Sequence, residues 1–384
     1  MHVFLSACGE GFGHSSRMAA ALAGLRAAGH EGVIATYGKA FERLKKMGYP
    51  VFETKPEVSM TGKGGKLDVL RSVVASSSGP KHVLEAMALE MRKMKAMNAR
   101  VVISDSRLST VLAGRRLGLP TFFVCNQTSY NEKLHVPSDL EDFEESTIGR
   151  LMSAPLAIPL QFANLILIPD FAPPNTIALP LLSRQRRVEM KTTFLGPLSL
   201  ATVVKSGQAH WPSSKPRVLV TMGGQAFRKG EYEALRKSLV KNQHFDFLVS
   251  SFFVEKDENI GSVKFRRFLP DLLPYMRAAD FQMMPAGHSG IMESMVLGKP
   301  ALLLPDAAQP EQLANARRYK QLGLGDYIEV KNLPKIGDAL SRLSRNHRKY
   351  DKALNRISVL AMGEMNGAKN IVKLCEEYAR RMSY

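Results

Sequence analysis

"HVFLSACGEGFGHSSRMAAALAGLRAAGHEGVIATYG", residues 2–38, sets the architecture of the chain. "HVFLSAC" is an apolar run too continuous for a half-exposed strand. "SRMAAALAGLRAAGH" has helical patterning closed by Gly29, and "EGVIATYG" is a second buried strand. Apolar strands alternating with helices predict a parallel sheet covered on both faces. Between the first strand and its helix lies "CGEGFGHSSR", residues 8–17, with three glycines, a histidine, two serines and an arginine. Such a turn can be purely structural, can cradle an anion on outward-pointing N–H groups, or can hold a histidine for chemistry.

The alternation continues outward from there. "KAFERLKKMG" is helical; "ARVVISDS" and "LPTFFVCN" are strands flanking the helix "RLSTVLAGRRLG". "MTGKGGK", 60–66, reads as a loop before the long helix "GPKHVLEAMALEMRKMKAMNA". Residues 151–169, "LMSAPLAIPLQFANLILIP", hold three prolines and read as helix end, turn and buried strand rather than a membrane span. Linker composition follows in "SLATVVKSGQAHWPSSKP", 199–216, and then the strand–turn–helix alternation restarts at "RVLVTMGG".

The expected fold is therefore α/β, with two doubly wound Rossmann-like domains facing across a cleft. An N-terminal domain would span 1–199, with the last helix, about 368–384, able to pack back on it. A linker, 200–216, would lead to a C-terminal domain over 217–367. A chain of 384 residues is too long for one core, and ligands of such sheets bind beyond the carboxyl ends of the strands.

Composition narrows the partners. There are 53 Lys and Arg against 35 Asp and Glu, a net charge of +18. That excess favours an anionic partner such as a phosphorylated substrate or an acidic membrane surface. The basic residues are spread, with small clusters at 92–95, 184–187 and 265–268. They do not interleave with aromatics as in a nucleic-acid module, so no nucleic acid is expected. Cys8, Cys125 and Cys375 are far apart, without metal-ligand spacing. With no basic n-region or cleavage site at the start, a reducing cytoplasm is the expected location, with attachment to the inner face of the membrane as an option.

Four small-residue turns carry the candidate chemistry. In the first, Gly11 and Gly13 precede His14. The spacing misfits a dinucleotide fingerprint, and "VIATYGKA" lacks the acidic residue that fingerprint needs. The second, "TMGGQAFRKG" at 221–230, holds Gly224 and Arg228. The third, "PAGHSGIMESMVLGKP" at 285–300, starts a helix with Gly287, His288, Ser289 and Gly290 and places Glu293 one turn inside. The fourth, "PDAAQPEQLANA" at 305–316, sets Glu311 and Gln312 before a helix. Helix N-termini suit a diphosphate, a carboxylate suits a ribose diol, and an acid–amide pair suits sugar hydroxyls.

At these residues the chain resembles the GT-B glycosyltransferases. It is most similar to the group holding the peptidoglycan N-acetylglucosaminyl transferase and the UDP-glucuronosyltransferases, with a C-terminal half like that of glycosyltransferase family 28. "PAGHSGIMESMVLGKPALLLPDAAQPEQLANA", 285–316, looks like the donor signature. The resemblance implies that Gly287, His288, Ser289 and Gly290 carry the donor diphosphate, with Gly11, Gly13 and Gly224 beside it. Glu293 would hold the ribose, and Glu311 and Gln312 would read the sugar. "KFRRFLPDLLPYMRAADF", 264–281, is similar to the segment that frames the uracil, here around Phe268 and Leu269. His14 stands in the place of the candidate base, with Asp105 next in line. The basic residue often found after the family's linker motif is missing from "LGPLSL", 195–200, and Arg228 is the substitute. Plant and animal members carry tryptophan and asparagine where this chain has His288 and Ser289, which loosens any inference about the sugar.

The implied reaction is inverting transfer of a hexose or N-acetylhexosamine from a nucleotide-sugar, UDP- first, to a hydroxyl acceptor, with a lipid-linked acceptor as an option. No cofactor and no metal are expected: no Asp-x-Asp pair sits where a metal–diphosphate site belongs, and helix N-termini can carry the charge. Two alternatives share the fold. A nucleotide-sugar epimerase usually shows adjacent acids after the glycine turn, whereas Ser294 follows Glu293. A non-catalytic donor-binding protein would have lost one half of the machinery, and both halves are present here.

Overall fold

The computed structural model describes residues 1–58, 62–63, 66–67, 79–128, 156–183, 185–223, 228–267, 269, 271–306 and 309–382. The chain divides into two compact units. The first comprises Met1–Ser59, Ser72–Val203 and Glu364–Tyr384; the second comprises Met60–Arg71 and Val204–Gly363.

The first unit is built on β1 (His2–Ala7), α1 (Gly13–Ala27), β2 (Glu31–Thr36), α2 (Gly38–Lys46) and β3 (Val51–Glu53). A short antiparallel pair, β4 (Gly62–Lys63) and β5 (Lys66–Leu67), lies where the sequence reads as loop and is counted with the second unit. Then come α3 (Gly79–Ala96), β6 (Ala99–Asp105), α4 (Leu108–Arg116), β7 (Thr121–Val124), β8 (Leu165–Ile168), the short α5 (Arg186–Glu189) and β9 (Thr192–Phe194). Residues 156–162 are helical ahead of β8. The sheet order is β3-β2-β1-β6-β7-β8-β9, and every pair is parallel. The strands carry apolar residues on both faces because both faces are covered. On one face Met18, Leu22 and Leu25 of α1 join Val3, Leu5 and Ile103 of the strands in one core.

α1 is alanine-rich and apolar nearly all round, as a helix enclosed on two sides must be. Its second cover is the last helix, α12 (Gly367–Arg381), whose Ile371, Val372 and Cys375 complete that core. Each such buried side chain contributes about 1.5–3 kcal/mol. The approach is close at Gly24, where a Cβ would lie 2.8 Å from Ala368 O. Asn366 caps α12, accepting from Lys369 N at 3.1 Å.

The second unit repeats the plan with β10 (Arg217–Thr221), α6 (Lys229–Val240), β11 (Asp246–Ser250), β12 (Glu258–Ile260), β13 (Val263–Arg266), α7 (Leu273–Ala278) and β14 (Phe281–Pro285). α8 (His288–Leu297), β15 (Ala301–Leu304), α9 (Pro310–Gln321), β16 (Gly325–Tyr327), α10 (Ile336–Arg345) and α11 (His347–Met362) complete it. Its order is β12-β13-β11-β10-β14-β15-β16, parallel except for β12 against β13. The stretch with linker composition is anchored there: Trp211 is buried and donates through Nε1 to Asp246 Oδ2 at 3.2 Å.

Both sheets reverse their winding once. In the first the reversal falls between β1 and β6, in the second between β10 and β14. A doubly wound sheet opens a crevice at the carboxyl edge of such a reversal, where two successive crossovers run to opposite faces. Ala7 pairs with Asp105 at the first reversal, and Val220 with Met283 at the second.

Candidate active site

The first reversal holds a tight charged cluster. The turn after β1 is shaped by two glycines. Gly11 has a φ of +79°, and a Cβ on Gly9 would meet the Tyr37 ring at 2.6 Å. Gly13 then opens α1, with Phe12 as its N-cap. His14, the next residue, turns Nδ1 to Asp105 Oδ1 at 2.7 Å. Asp105 is fully buried at the end of β6, and the His14 side chain is 23% exposed.

Arg17 completes the cluster. Its Nε donates to Asp105 Oδ2 and its Nη2 to Oδ1, both at 2.8 Å. Burial alone would raise the Asp105 carboxyl, but the Arg17 guanidinium and His14 outweigh it and bring the group down to about 2. Arg17 Nη2 also lies 2.9 Å from His14 Nδ1. Both contacts of Nδ1 cannot be hydrogen bonds at once, because arginine only donates. An unprotonated Nδ1 would set a lone pair against an ionised carboxylate at 2.7 Å. The consistent assignment puts the proton on Nδ1, donated to Asp105, and leaves Nε2 with its lone pair free to accept.

The second reversal is furnished differently. β14 ends at Pro285, and Gly287 caps α8 with nothing within 4 Å of where a Cβ would stand. The first turn of α8 is His288, Ser289 and Gly290. His288 is buried, the other two half-buried, and Glu293 is half-buried one turn further on. Asn315 of α9 donates to Ala286 O at 3.2 Å and so ties this turn down. Leu269 lies by the carboxyl end of β11, its N–H donating to Ser250 Oγ at 3.1 Å.

At the end of β15 a local network holds the turn before α9. Gln312 Oε1 accepts from Asp306 N at 3.1 Å, Gln312 Nε2 donates to Gln309 Oε1 at 2.7 Å, and Gln309 Nε2 donates to Asp306 Oδ2 at 2.8 Å. The Gln312 amide is thus buried and engaged within its own turn. Glu311, half-buried in the first turn of α9, accepts from Asn315 at 3.4 Å.

Arg228, in the small-residue turn after β10, is 1% exposed. It is ion-paired with Glu231 in the first turn of α6 and donates through Nη2 to Leu304 O at 3.1 Å. Among the described residues its buried Nη1 has no hydrogen-bond partner. Gly224 and Phe268 lie outside the described residues.

Sequence reasoning placed His14 at a strand end but named neither its bond to Asp105 nor the grip of Arg17. The sequence shows that Asp105 closes the apolar run of β6, but not that this strand lies beside β1.

Known proteins agree with this architecture. A glycosyltransferase of Methanosarcina mazei is 28% identical over 392 residues, covering 99% of both chains. The UDP-N-acetylglucosamine–N-acetylmuramyl-(pentapeptide) pyrophosphoryl-undecaprenol N-acetylglucosamine transferase of Clostridium tetani is 29% identical over 175 residues, covering 43% of this chain and 47% of its own. The solved structure of the Streptomyces sp. SF2575 glycosyltransferase SsfS6, complexed with thymidine diphosphate, superimposes with a TM-score of 0.63 at 20% identity. It covers 98% of this chain and 99% of that one, and shares the GT-B fold. Residues 1–344 match the family described as Glycosyl transferase family 1, and with two doubly wound units of GT-B type the chain belongs to that family of glycosyltransferases.

Proposed function

We propose that this glycosyltransferase moves a hexose or N-acetylhexosamine from a UDP-sugar to a hydroxyl acceptor by a single displacement with inversion. The observation that carries the reading is His14, fixed by Asp105 so that Nε2 is the free basic edge. The acceptor oxygen attacks the anomeric carbon while its proton passes to Nε2. The bond from that carbon to the diphosphate oxygen breaks, and the electron pair leaves with the nucleoside diphosphate. A base in this position typically supplies about 10²–10⁴-fold in rate.

The second unit holds the donor. The N–H groups at the start of α8, at Gly287, His288, Ser289 and Gly290, meet the diphosphate, and the helix dipole favours the charge that grows on it. The resemblance assigns Gly11, Gly13 and Gly224 to the same group, and Arg228 reaches it by turning its buried Nη1 outward. Glu293 takes the ribose diol, Phe268 and Leu269 frame the base, and Glu311 and Gln312 read the sugar. For Gln312 this means exchanging its partner Gln309 for a sugar hydroxyl. With the charge met by helix N-termini, the reaction proceeds without a metal.

A UDP donor and a lipid-linked acceptor draw support from the name of the clostridial relative. Attachment at the inner face of the membrane draws support from α3. Leu84, Ala88, Arg92 and Lys95 are exposed at helical spacing along it, with Leu84 at 66%. Two apolar and two basic side chains on one face suit weak adsorption to an anionic bilayer. Among the described residues no helix is long and apolar enough to cross a membrane.

The test is a thermal-shift screen with UDP-, dTDP- and GDP-sugars, followed by nucleotide release, each with and without EDTA. A shift and turnover with a UDP-sugar that survive the chelator support the proposal. Stabilisation by dTDP-sugars alone would move the donor assignment. Activity abolished by EDTA and restored by Mg²⁺ would contradict the metal-free mechanism.

A further inference from the structure

We infer that Arg17 is a positioning residue for His14: its fork grips both oxygens of Asp105 and sets a fixed positive charge beside the imidazole, which keeps the histidine a neutral base. The inference rests on the reading of His14 as the base and adds a residue to it.

Arg17 follows His14 by three residues on α1, so the two side chains share one face of the helix. The guanidinium is nearly buried and two-pronged, with Nε on Oδ2 and Nη2 on Oδ1 at 2.8 Å each. Oδ1 therefore serves His14 Nδ1 and Arg17 Nη2 together. A bidentate grip holds the carboxylate in one plane, and that plane sets the orientation of the ring. Ser106, whose φ is +59°, adds a hydroxyl donor to Oδ1 at 3.3 Å.

The electrostatic consequence follows from what faces the ring. A buried carboxylate paired with histidine alone favours imidazolium, because the pair is then neutral overall. An imidazolium cannot take a proton from an acceptor hydroxyl. Arg17 already neutralises Asp105, and with Nη2 2.9 Å from Nδ1 it opposes a second positive charge on the ring. Among the described residues, the groups facing this cluster include Arg17 from α1, Asp105 and Ser106 from the end of β6, and Cys125 just after β7. Burial, with Asp105 beside it, pushes the Cys125 thiol up to about 12, so it stays uncharged. The same repulsion makes the imidazolium formed during transfer short-lived, and its proton passes to solvent as product leaves.

The experiment uses the whole protein with nitrogen-15 histidine and follows the ring signals with pH, the His14 signal being the one absent in His14→Gln. Wild type is compared with Arg17→Met and Arg17→Lys. In Arg17→Met the imidazolium form should persist to a pH higher by about one unit or more, a tenfold change in the neutral fraction on the acid side. Arg17→Lys, which keeps the charge, should stay near wild type. An Arg17→Met course that coincides with wild type overturns the inference, as does an equal displacement in both variants. Where Arg17→Met does not fold, Arg17→Gln carries the same comparison. No substrate is involved, so a failure of the glycosyl-transfer reading, seen as no nucleotide release from any sugar nucleotide, leaves this test standing.

Discussion

The two sheet reversals share a topology and hold opposite kinds of chemistry. At the first, between β1 and β6, ionised side chains satisfy one another: Asp105 takes Arg17 and His14, and the hydrogen bond to Asp105 occupies Nδ1 of the imidazole rather than Nε2. At the second, between β10 and β14, the chain offers backbone, small residues and space beside Gly287, while Arg228 is turned inward onto Glu231. A parallel sheet guarantees a crevice at the reversal and nothing more. The residues placed there decide whether it moves a proton or receives an anion. The first arrangement suits a base and the second suits a nucleoside diphosphate.

The sharpest way to break this division of labour is His14→Ala. Turnover should fall by about 10²–10⁴-fold, while donor affinity, read by calorimetry on the same preparation, stays intact. A lost affinity with preserved turnover would reverse the roles.

Asp105→Asn comes next, because it strands the Arg17 charge in a buried site. Removing one partner of a buried pair costs about 3–5 kcal/mol, to be read from denaturant unfolding. Titration of the wild type is a gentler probe of the same contact. The Asp105 carboxyl is held at about 2 against an ordinary 3.8. It therefore stabilises the fold above about pH 4, by roughly 2 kcal/mol. That contribution disappears as the pH falls towards 2. Acid unfolding of Asp105→Asn that is as steep as wild type over this window would show that the contact contributes nothing.

Glu293→Ala tests the second reversal. Losing two charge-assisted hydrogen bonds to a ribose costs about 2–4 kcal/mol, roughly 30-fold or more in donor affinity. Turnover at saturating donor should change far less. An unchanged affinity in a folded variant removes Glu293 from the donor site. The smallest effect is expected at α3. Arg92→Gln with Lys95→Gln should weaken sedimentation with anionic vesicles by about 1 kcal/mol per charge, and only at low salt. Equal binding to neutral vesicles would refute an electrostatic origin.

The architecture was legible because its signals are local. The apolar run before Cys8 and the glycine turns announce buried parallel strands, and the small residues before Glu293 mark a helix start. The pairing of His14 with Asp105 spans 91 residues and becomes visible only once β6 is laid beside β1. Arg17 reads as one more basic residue on an alanine-rich helix, because its partner comes from another strand. Arg228 misleads in the other direction: "GGQAFRKG" has loop composition, yet the side chain is buried because Glu231 and the Leu304 carbonyl receive it. The Gln312 amide looks free in sequence and is spent within its own turn. Periodicity encodes burial of apolar residues; it carries no information on which polar groups meet across strands.

The central claim is a single displacement assisted by a base, and the anomeric configuration of the first-formed product tests it most directly. With a UDP-α-sugar, proton NMR should show the β-anomer first, whether the sugar is passed to an acceptor hydroxyl or to water. An α-anomer formed first would mean retention and would contradict the single displacement on which the account stands.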